Sequence, residues 1–349
     1  MKKLYDEGSS RLAELIIDRA AKLGKSGGTA LVFPHKSVDG DCIGSACSVA
    51  SLFRTLGAKA YVAMPETLPD NMSFLGVDDL LFYPEEGFEN SDLLINGSRY
   101  ELSFSVDCSE GSRMGKNGVI FDIYKDSLDI DHHEVTHLQG DLKWIEPRAS
   151  SACEMVFYVA SKIAELKGEA LDRIIDGRTA KCLMAGIVTD TGRFTYSNTR
   201  PETLETAGIL MELGGNISEV CYQLFDLKTP AEFSISNAAC SAAKFYHGGR
   251  FAITKVTSEM FSEHGAGHED IADVVSRLRD VGGVEFACVL REVGDGQVRG
   301  NLRSKSVVDC SLFAEAYGGG GHKRAAGFTV TGDINKIEEQ IIEEASKLL

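Results

Sequence analysis

The chain has 349 residues, enough for two domains that each bury a hydrophobic core. Its 36 basic and 52 acidic residues give a net charge of −16, which argues against the basic surface that binding of long nucleic acids requires. Nine irregularly spaced cysteines without a C-x-x-C pair, and the lack of a long apolar run, lead us to expect a cytoplasmic protein with reduced thiols and no membrane partner.

Strand-like and helix-like segments alternate through the first half of the chain. In chain order, the pattern predicts a helix over Ser10–Lys22, a strand over Thr29–Phe33, a helix over Gly44–Leu56, and strands over Lys59–Met64, Leu102–Asp107, Gly118–Ile123 and Ser127–Asp131. Such alternation is typical of an α/β fold with a parallel sheet, whose ligands gather at the carboxyl ends of the strands.

The remaining chain is first helical and then mixed. Helices are predicted over Ser151–Glu165, Arg178–Thr189, Glu202–Leu213 and most of Ile217–Lys244. Beyond Arg250 we expect strands over Phe251–Val256, Glu285–Glu292, Gln297–Leu302 and Gly327–Val330, and helices over Asp270–Arg279 and Ser311–Tyr317. The final helix is amphipathic, with one apolar face formed by Ile334, Ile337, Ile341, Ala345 and Leu348. We therefore expect domains over 1–225 and 246–349, joined by a helical linker over 226–245.

Aspartate and histidine side chains follow several of the predicted elements. They are His35, Asp39 and Asp41 after the first strand, Asp107 at the end of a later strand, Asp131, His132 and His133 after the short strand, and Asp190 after an apolar helix. Crowded carboxylates repel one another unless cations intervene, so this set fits two divalent ions better than one. Asp107 is the residue we expect to bridge both ions.

The donor types indicate which metal would bind. Oxygen ligands with a minority of imidazole suit Mn²⁺, with Mg²⁺ or Co²⁺ as alternatives, and the absence of cysteine from the set argues against a structural zinc site. Each motif alone also has an ordinary structural reading, because Asp-Gly-Asp often forms a turn and aspartate often caps a helix. The spacing by itself leaves both readings open.

The motifs together resemble a known family, the DHH phosphoesterases. The resemblance rests on His35-x-x-x-Asp39-Gly-Asp41 with Ile43-Gly44-Ser45, on Val106-Asp107-Cys108-Ser109, on Asp131-His132-His133, and on Asp190-Thr191-Gly192. Leu302-Arg303-Ser304-Lys305 and the run from Gly318 to Gly327 are similar to the DHH-associated C-terminal domain. Order and spacing resemble those of the oligoribonuclease/pAp phosphatase subgroup. Val38 is a departure, since the family usually has proline before the first motif aspartate.

The resemblance implies roles for individual residues. One ion would be held by His35, Asp39 and Asp107, and the other by Asp41, Asp107, His132 and Asp190. His133 would lie beside the phosphate as a general acid or charge stabiliser. Asp131 would orient an imidazole, or would serve only as a hydrogen-bonding group at a strand end.

The C-terminal motifs imply a substrate-binding domain across a cleft. Glycines let backbone N–H groups approach a phosphate or a base, and arginine can bind a phosphate through two nitrogens. The expected substrate-binding residues are Arg303, Ser304, Gly319, Gly320, Gly321 and His322. The alternatives are a flexible turn for the glycines and a surface ion pair for Arg303.

The implied activity is that of a metal-dependent phosphoesterase. Water activated by two metal ions would cleave very short oligoribonucleotides to mononucleotides, or 3′-phosphoadenosine 5′-phosphate (pAp) to AMP, or both. The alternatives are a linear or cyclic dinucleotide phosphodiesterase, a RecJ-like single-strand exonuclease, a family II pyrophosphatase and a non-catalytic nucleotide sensor. The expected partners are short RNA or small nucleotides, no long nucleic acid, and a second copy in a homodimer.

Overall fold

The computed structural model describes residues 3–84, 94–108, 110–123, 127–133 and 142–349, in two compact units. The units are Met1–Leu227 and Lys228–Leu349. Within these residues, no helix combines the length and apolarity needed to cross a membrane. Ser109, the last residue of the second motif, lies outside the described residues.

The first unit contains a largely parallel sheet. Its strands are β1 (Thr29–Phe33), β2 (Lys59–Ala63), β3 (Leu81–Phe82), β4 (Leu94–Ile95), β5 (Ser98–Val106), β6 (Ser127–Asp131) and β7 (Leu142–Ile145). The helices are α1 (Lys3–Ser26), α2 (Gly40–Thr55), α3 (Gly118–Phe121), α4 (Ala152–Lys167), α5 (Gly177–Asp190), α6 (Pro201–Glu212) and α7 (Ile217–Cys221). The strand order is β3-β2-β1-β5-β6-β7, all parallel, and β4 pairs antiparallel with β5.

The sheet of the first unit is buried on both faces. Ala30 and Val32 of β1 belong to the larger core, which also contains the apolar residues of α1, α2, α4 and α5. Leu31 and Phe33 point to the opposite face, where Phe33 packs edge-on against Phe121. All five residues of β1 are buried, and all but Thr29 are apolar. This is usual for a central parallel strand, which has no face exposed to water.

Helix α2 begins at Gly40, four residues before the predicted start at Gly44. The early start follows from Asp39, whose Oδ1 accepts hydrogen bonds from the N–H groups of Asp41 and Cys42. Small residues then allow α2 to pack closely on α5, since a Cβ on Gly44 would overlap the carbonyl oxygen of Cys182. The cap therefore places Asp39 and Asp41 at the end of β1.

The second unit is built on a mixed sheet. Its strands are β8 (Lys244–Tyr246), β9 (Phe251–Val256), β10 (Phe286–Glu292), β11 (Gln297–Ser304), β12 (Gly320–His322) and β13 (Ala325–Thr331). The helices are α8 (Pro230–Ser241), α9 (Ser258–His264), α10 (Val274–Asp280), α11 (Cys310–Glu315) and α12 (Ile334–Ser346). The order is β12-β13-β11-β10-β9-β8, with β9 and β10 parallel and the other pairs antiparallel. The α/β class predicted for both halves is confirmed.

Three predicted elements need correction. Residues Gly118–Phe121 form the short helix α3 where a strand was predicted, although Val119 and Ile120 favour strands locally. The helical run predicted over Ile217–Lys244 is interrupted before Pro230, which has no N–H to continue a helix and starts α8 instead. Leu348 lies beyond the end of α12 and is 45% exposed, so it is not part of the buried face.

The interruption before Pro230 coincides with the division between the two units. Ile235 and Ala239 of α8 are fully buried in a core of the second unit. The domain limits 1–225 and 246–349, with a linker over 226–245, stay predictions.

Candidate metal centre

The predicted site residues of the first unit meet at one edge of its sheet. Strands β1, β5 and β6 are neighbours, and His35, Asp107 and Asp131 lie at or just after their carboxyl ends. Parallel strands end on the same edge, so these side chains converge. Helix α2 adds Asp39 and Asp41 from its start, and α5 adds Asp190 from its last residue.

The first group of polar atoms surrounds the His35 imidazole. Its Nε2 lies 3.5 Å from Asp39 Oδ2 and 3.3 Å from Asp107 Oδ2. His35 is 3% exposed. Burial disfavours its charged form, but the carboxylates of Asp107 and Asp39 outweigh burial and raise its pKa. The three residues predicted for one ion are thus adjacent in space.

The second group surrounds the His132 imidazole. His132 Nε2 lies 3.8 Å from Asp41 Oδ2, 3.4 Å from Asp107 Oδ1 and 3.2 Å from Asp190 Oδ2. These are the four residues predicted for the other ion. Asp107 contributes one oxygen to each group, so its carboxylate lies between them.

Asp107 is held in an unusual backbone conformation. Its φ of +51° is in the left-handed region, which costs free energy in residues other than glycine and is characteristic of functional sites. Its N–H donates to the Ile130 carbonyl, tying the residue to β6. Burial disfavours the carboxylate, yet the nearby imidazoles of His132 and His35 lower the pKa of Asp107.

The other acids are crowded and short of positive charge. Burial, followed by the charges of Asp190 and Asp107, raises the pKa of Asp41 well above its usual value. Burial also raises the pKa of Asp190, although His132 opposes the shift. Asp107 Oδ1 is buried and accepts no hydrogen bond from the described residues. Excess carboxylate charge and an unsatisfied oxygen are what divalent cations would compensate, so the residues present fit such ions.

Cys42 is a neighbour of the site that is not among the predicted ligands. Its Sγ lies close enough to His35 and Asp39 to complete a candidate metal-binding group with them. Burial raises the pKa of the Cys42 thiol to about 12. The thiol is therefore protonated at neutral pH, which makes it a poor ligand before a cation binds.

The first and last residues of the DHH motif interact with each other. His133 Nδ1 lies 2.7 Å from Asp131 Oδ1, and the same oxygen accepts the His133 N–H at 3.0 Å. His133 is one-third exposed, whereas Asp131 is buried. Asp131 thus fixes the orientation of the His133 ring, leaving Nε2 as the free nitrogen for chemistry.

The predicted substrate-binding residues lie together in the second unit. Arg303 on β11 pairs with Ala325 on β13, and Ala325 pairs on its other side with His322 on β12. Arg303 is half-buried and His322 is exposed. Ser304 is buried, and its hydroxyl donates to the Val308 carbonyl at 2.6 Å. A substrate contact of Ser304 stays a prediction.

The end of the glycine run belongs to strand β12 (Gly320–His322) and is not the flexible turn that was the alternative prediction. A Cβ on Gly319 would overlap the Gly327 carbonyl, and Gly321 has a φ of +146° that side chains rarely adopt. Both positions therefore need glycine for the pairing of β12 with β13. Gly320 is exposed with open space around it, so a ligand can approach its backbone.

Comparisons with known proteins agree with these motifs. The model of the DHH family, N-terminal domain, matches residues 29–187, and that of the DHHA1 domain matches residues 248–349. The chain is 30% identical over 318 residues to the bifunctional oligoribonuclease and PAP phosphatase NrnA of Thermus thermophilus, covering 90% of this chain and 89% of that protein. Identity to NrnA of Bacillus subtilis is 28% over 310 residues, covering 86% and 89%.

A solved structure supports the same fold. An exopolyphosphatase-related protein of Bacteroides fragilis superimposes with a TM-score of 0.83 at 23% identity, covering 96% of this chain and 97% of the other. The two family models match in the expected order, and the Thermus thermophilus relative aligns over most of both chains. Both findings agree with the motifs whose residues meet at the edge of the sheet. The chain belongs to the DHH family and carries a DHHA1 domain.

Proposed function

We propose that this protein is a divalent-metal-dependent phosphoesterase that hydrolyses very short oligoribonucleotides to mononucleotides and pAp to AMP. The observation that carries the proposal is the Asp107 carboxylate, which places one oxygen beside His35 and the other beside His132. The names of the two NrnA relatives support the choice of substrates. The first unit would be the catalytic domain and the second the substrate-binding domain.

The metal ligands follow from the two groups of atoms. One ion would be held by His35, Asp39 and Asp107, and the other by Asp41, Asp107, His132 and Asp190. Mn²⁺ suits this mixture of carboxylate and imidazole, and two ions suit the crowding of carboxylates. Bound divalent cations would supply Lewis-acid stabilisation of the phosphoryl charge and a water of lowered pKa.

Protein groups next to the ligands would handle the proton and the leaving group. With Nδ1 held by Asp131, the His133 imidazole can present Nε2 to the leaving oxygen and hold a proton there. The partial exposure of His133 leaves room for substrate beside it. Asp131 keeps the ring in one orientation throughout.

The second unit would recognise the rest of the nucleotide. Arg303 can donate two parallel hydrogen bonds to a phosphate. The open backbone at Gly320 and the exposed imidazole of His322 can contact a second phosphate or a base. These contacts would select small substrates that carry a terminal phosphate. Cytoplasmic location and a homodimeric state stay predictions.

The test is Mn²⁺-dependent hydrolysis of a substrate panel, with products separated by chromatography. The panel contains pAp, RNA of two to five nucleotides, linear pApA, long single-stranded DNA and pyrophosphate. Fast turnover of pAp and the short RNAs is the expected result. A preference for pApA would indicate a dinucleotide phosphodiesterase, and a preference for long DNA or pyrophosphate another branch of the family. Absence of turnover on every substrate would indicate a sensor.

A matched pair of variants tests the role of the second unit. Arg303→Ala removes the proposed phosphate contact, while Arg299→Ala removes an exposed arginine four residues earlier on the same face of β11. We expect Arg303→Ala to raise KM for pAp about tenfold or more, because a charged hydrogen bond is lost. Hydrolysis of a generic aryl phosphodiester should be unaffected. Equal losses on both substrates would place Arg303 in the chemistry itself.

A further inference from the structure

Glu154, in the first turn of α4, is a fully buried carboxylate with no part in the proposed chemistry. Its oxygens accept hydrogen bonds from Ser150 N at 2.8 Å, Ser150 Oγ at 2.5 Å, Thr203 Oγ1 at 3.2 Å and Tyr5 Oη at 3.4 Å. Burial raises its pKa, and the Ser150 hydrogen bonds oppose the rise. A buried acid that collects donors from three separate segments fixes those segments relative to one another.

The geometry at the start of α4 differs from an ordinary capping box. In a capping box, the glutamate at the third helical position bonds to the N–H of the capping residue, here Ser151. The Ser151 side chain does accept the Glu154 N–H, at 3.1 Å. The Glu154 carboxylate turns instead to Ser150, one residue earlier. It therefore orients the peptide that enters the helix.

That peptide is connected to Asp190 through one side chain. Asn198 Nδ2 donates to the Ser150 carbonyl and to the Asp190 carbonyl, each at 3.0 Å. The two acceptors fix the Asn198 amide, and through it the end of α5 where the Asp190 carboxylate projects. Movement of Ser150 would be transmitted to Asp190.

The same turn of α4 also holds Asp41. The Ala152 N–H donates to Asp41 Oδ2 at 2.7 Å, and the Cys153 N–H donates to Asp41 Oδ1 at 2.8 Å. Both oxygens of this fully buried carboxylate are therefore placed by the backbone of the helix start. Asp41 and Asp190 belong to the group around His132.

We propose that Glu154 is a positioning residue for this group, acting on Asp190 through Ser150 and Asn198, and on Asp41 through the first turn of α4. The inference rests on the proposed function, since it assumes that these residues bind a divalent ion. It distinguishes the His132 group from the His35 group, because among the described residues no hydrogen bond joins His35 or Asp39 to Glu154 or its partners. Loss of Glu154 should therefore weaken one ion more than the other.

The experiment measures Mn²⁺ binding by calorimetry in the absence of substrate. The variants are Glu154→Gln, which keeps the shape but removes the charge and one acceptor oxygen, and Asn198→Ala, which cuts the link to Asp190. The control is Glu146→Gln, because the Glu146 side chain is also buried but accepts its hydrogen bonds from Arg148. Thermal unfolding without metal verifies that each variant is folded.

We expect two Mn²⁺ ions to bind the wild type, and each test variant to weaken one of them about tenfold or more. Glu146→Gln should bind both ions as the wild type does. The double variant should lose no more Mn²⁺ affinity than the single variant that binds Mn²⁺ less tightly, because both substitutions break the connection from Glu154 to Asp190.

Different failures have different meanings. Wild-type Mn²⁺ affinity in folded Asn198→Ala would overturn the inference even if Glu154→Gln failed to fold. Fully additive losses in the double variant would also overturn it, since they would indicate independent effects. If the wild type hydrolyses pAp and binds Mn²⁺, and both variants bind Mn²⁺ with the wild-type affinity, only the inference about Glu154 fails. A wild type that binds no Mn²⁺ would overturn the proposed function as well.

Discussion

At the scale of single residues, the candidate centre is organised around one carboxylate that lies between two groups of side chains. Asp107 faces His35 with Oδ2 and His132 with Oδ1, and it does so from a backbone with positive φ. Asparagine tolerates this backbone better than most residues, so it is the substitution that disturbs the fold least. Strained conformations of this kind are held by the surrounding structure, here by the bond from the Asp107 N–H to Ile130, and they cluster at functional sites.

We predict that Asp107→Asn lowers the Mn²⁺-dependent kcat on pAp more than about a hundredfold. Loss of a residue that only hydrogen-bonds to a metal ligand costs about a hundredfold at most. The reason is that an amide is uncharged and has only one oxygen, so it cannot place a negatively charged oxygen in both the His35 group and the His132 group. Steady-state kinetics over a range of Mn²⁺ concentrations would measure the effect, with thermal unfolding as the control for structure. A rate near that of the wild type would contradict a shared role for Asp107.

The sequence allowed these acids and imidazoles to be proposed together, because each follows a strand or ends a helix and parallel strands end on one edge. It did not reveal Cys42. The proximity of Cys42 to His35 depends on α2 starting at Gly40, which in turn depends on the Asp39 cap. The apolar periodicity that located the helix begins only at Ile43, so the pattern placed its start too late.

At the scale of secondary structure elements, close packing of α5 against α2 and α4 controls the position of Asp41. A Cβ on Gly186 of α5 would overlap Cys153 Sγ and lie 2.5 Å from Asp41 Oδ1. The Asp41 carboxylate cannot move freely, because it accepts hydrogen bonds from the N–H groups of Ala152 and Cys153. Glycine is therefore required here by close approach, not by backbone conformation.

We predict that Gly186→Ala destabilises the protein by about 1–3 kcal/mol through overpacking and lowers Mn²⁺ affinity by displacing Asp41. Gly208→Ala on α6 is the matched control, since that glycine is exposed with open space around it. It should stabilise the protein by about 0.4–1 kcal/mol. Denaturant unfolding and calorimetry measure both quantities. Similar behaviour of the two variants would show that α5 can shift without affecting Asp41.

In the second unit, Glu285 anchors the segment that follows Arg303 and Ser304. Its carboxylate accepts hydrogen bonds from the N–H groups of Ser306, Val307 and Val308 and from the Ser306 hydroxyl. Burial would raise the pKa of Glu285, but these hydrogen bonds outweigh it and lower the pKa below 4.5. A lowered pKa means that folding favours the ionised form.

The stabilisation from Glu285 should therefore be complete above about pH 4.5 and disappear as the pH falls through the lower pKa of the folded state. We predict that Glu285→Gln costs about 1–3 kcal/mol at pH 7, and that the difference from the wild type shrinks on acidification. Denaturant unfolding at a series of pH values measures this difference. Glu339→Gln, an exposed acid on α12, should follow the wild type. A difference independent of pH would contradict the ionised role of Glu285.

Sequence patterns located most elements but failed where tertiary contacts decide. Residues Gly118–Phe121 have strand propensity and yet form a helix, because Ile120 and Phe121 fill the core beneath β1 and β5. Strand β12 could not be predicted, since glycines are depleted in strands and this one exists only through its pairing with β13. The helix depends on contacts with residues distant in sequence, whereas β12 depends on pairing within a tight hairpin that local propensity does not indicate.

At the scale of the whole molecule, the net charge favours small substrates over long polyanions. A net charge of −16 opposes a long polyanion, whose binding depends on many phosphate contacts and the release of counterions. A substrate of two to five nucleotides needs only the few cationic groups proposed here, Arg303 and His322 with the bound metal ions. Short substrates therefore avoid most of the repulsion.

We predict that kcat/KM for a dinucleotide falls less than about tenfold between 50 and 200 mM salt, as expected for about two phosphate contacts. A strand held by 6–10 contacts would lose about 10³–10⁵ in affinity over the same range. Rates should be measured at constant Mn²⁺ with RNA of increasing length. They should decline beyond about five nucleotides, because each added phosphate is repelled by a chain of net charge −16. Rates that rise with length, together with a steep salt dependence, would show a basic track on this acidic chain and favour a RecJ-like exonuclease.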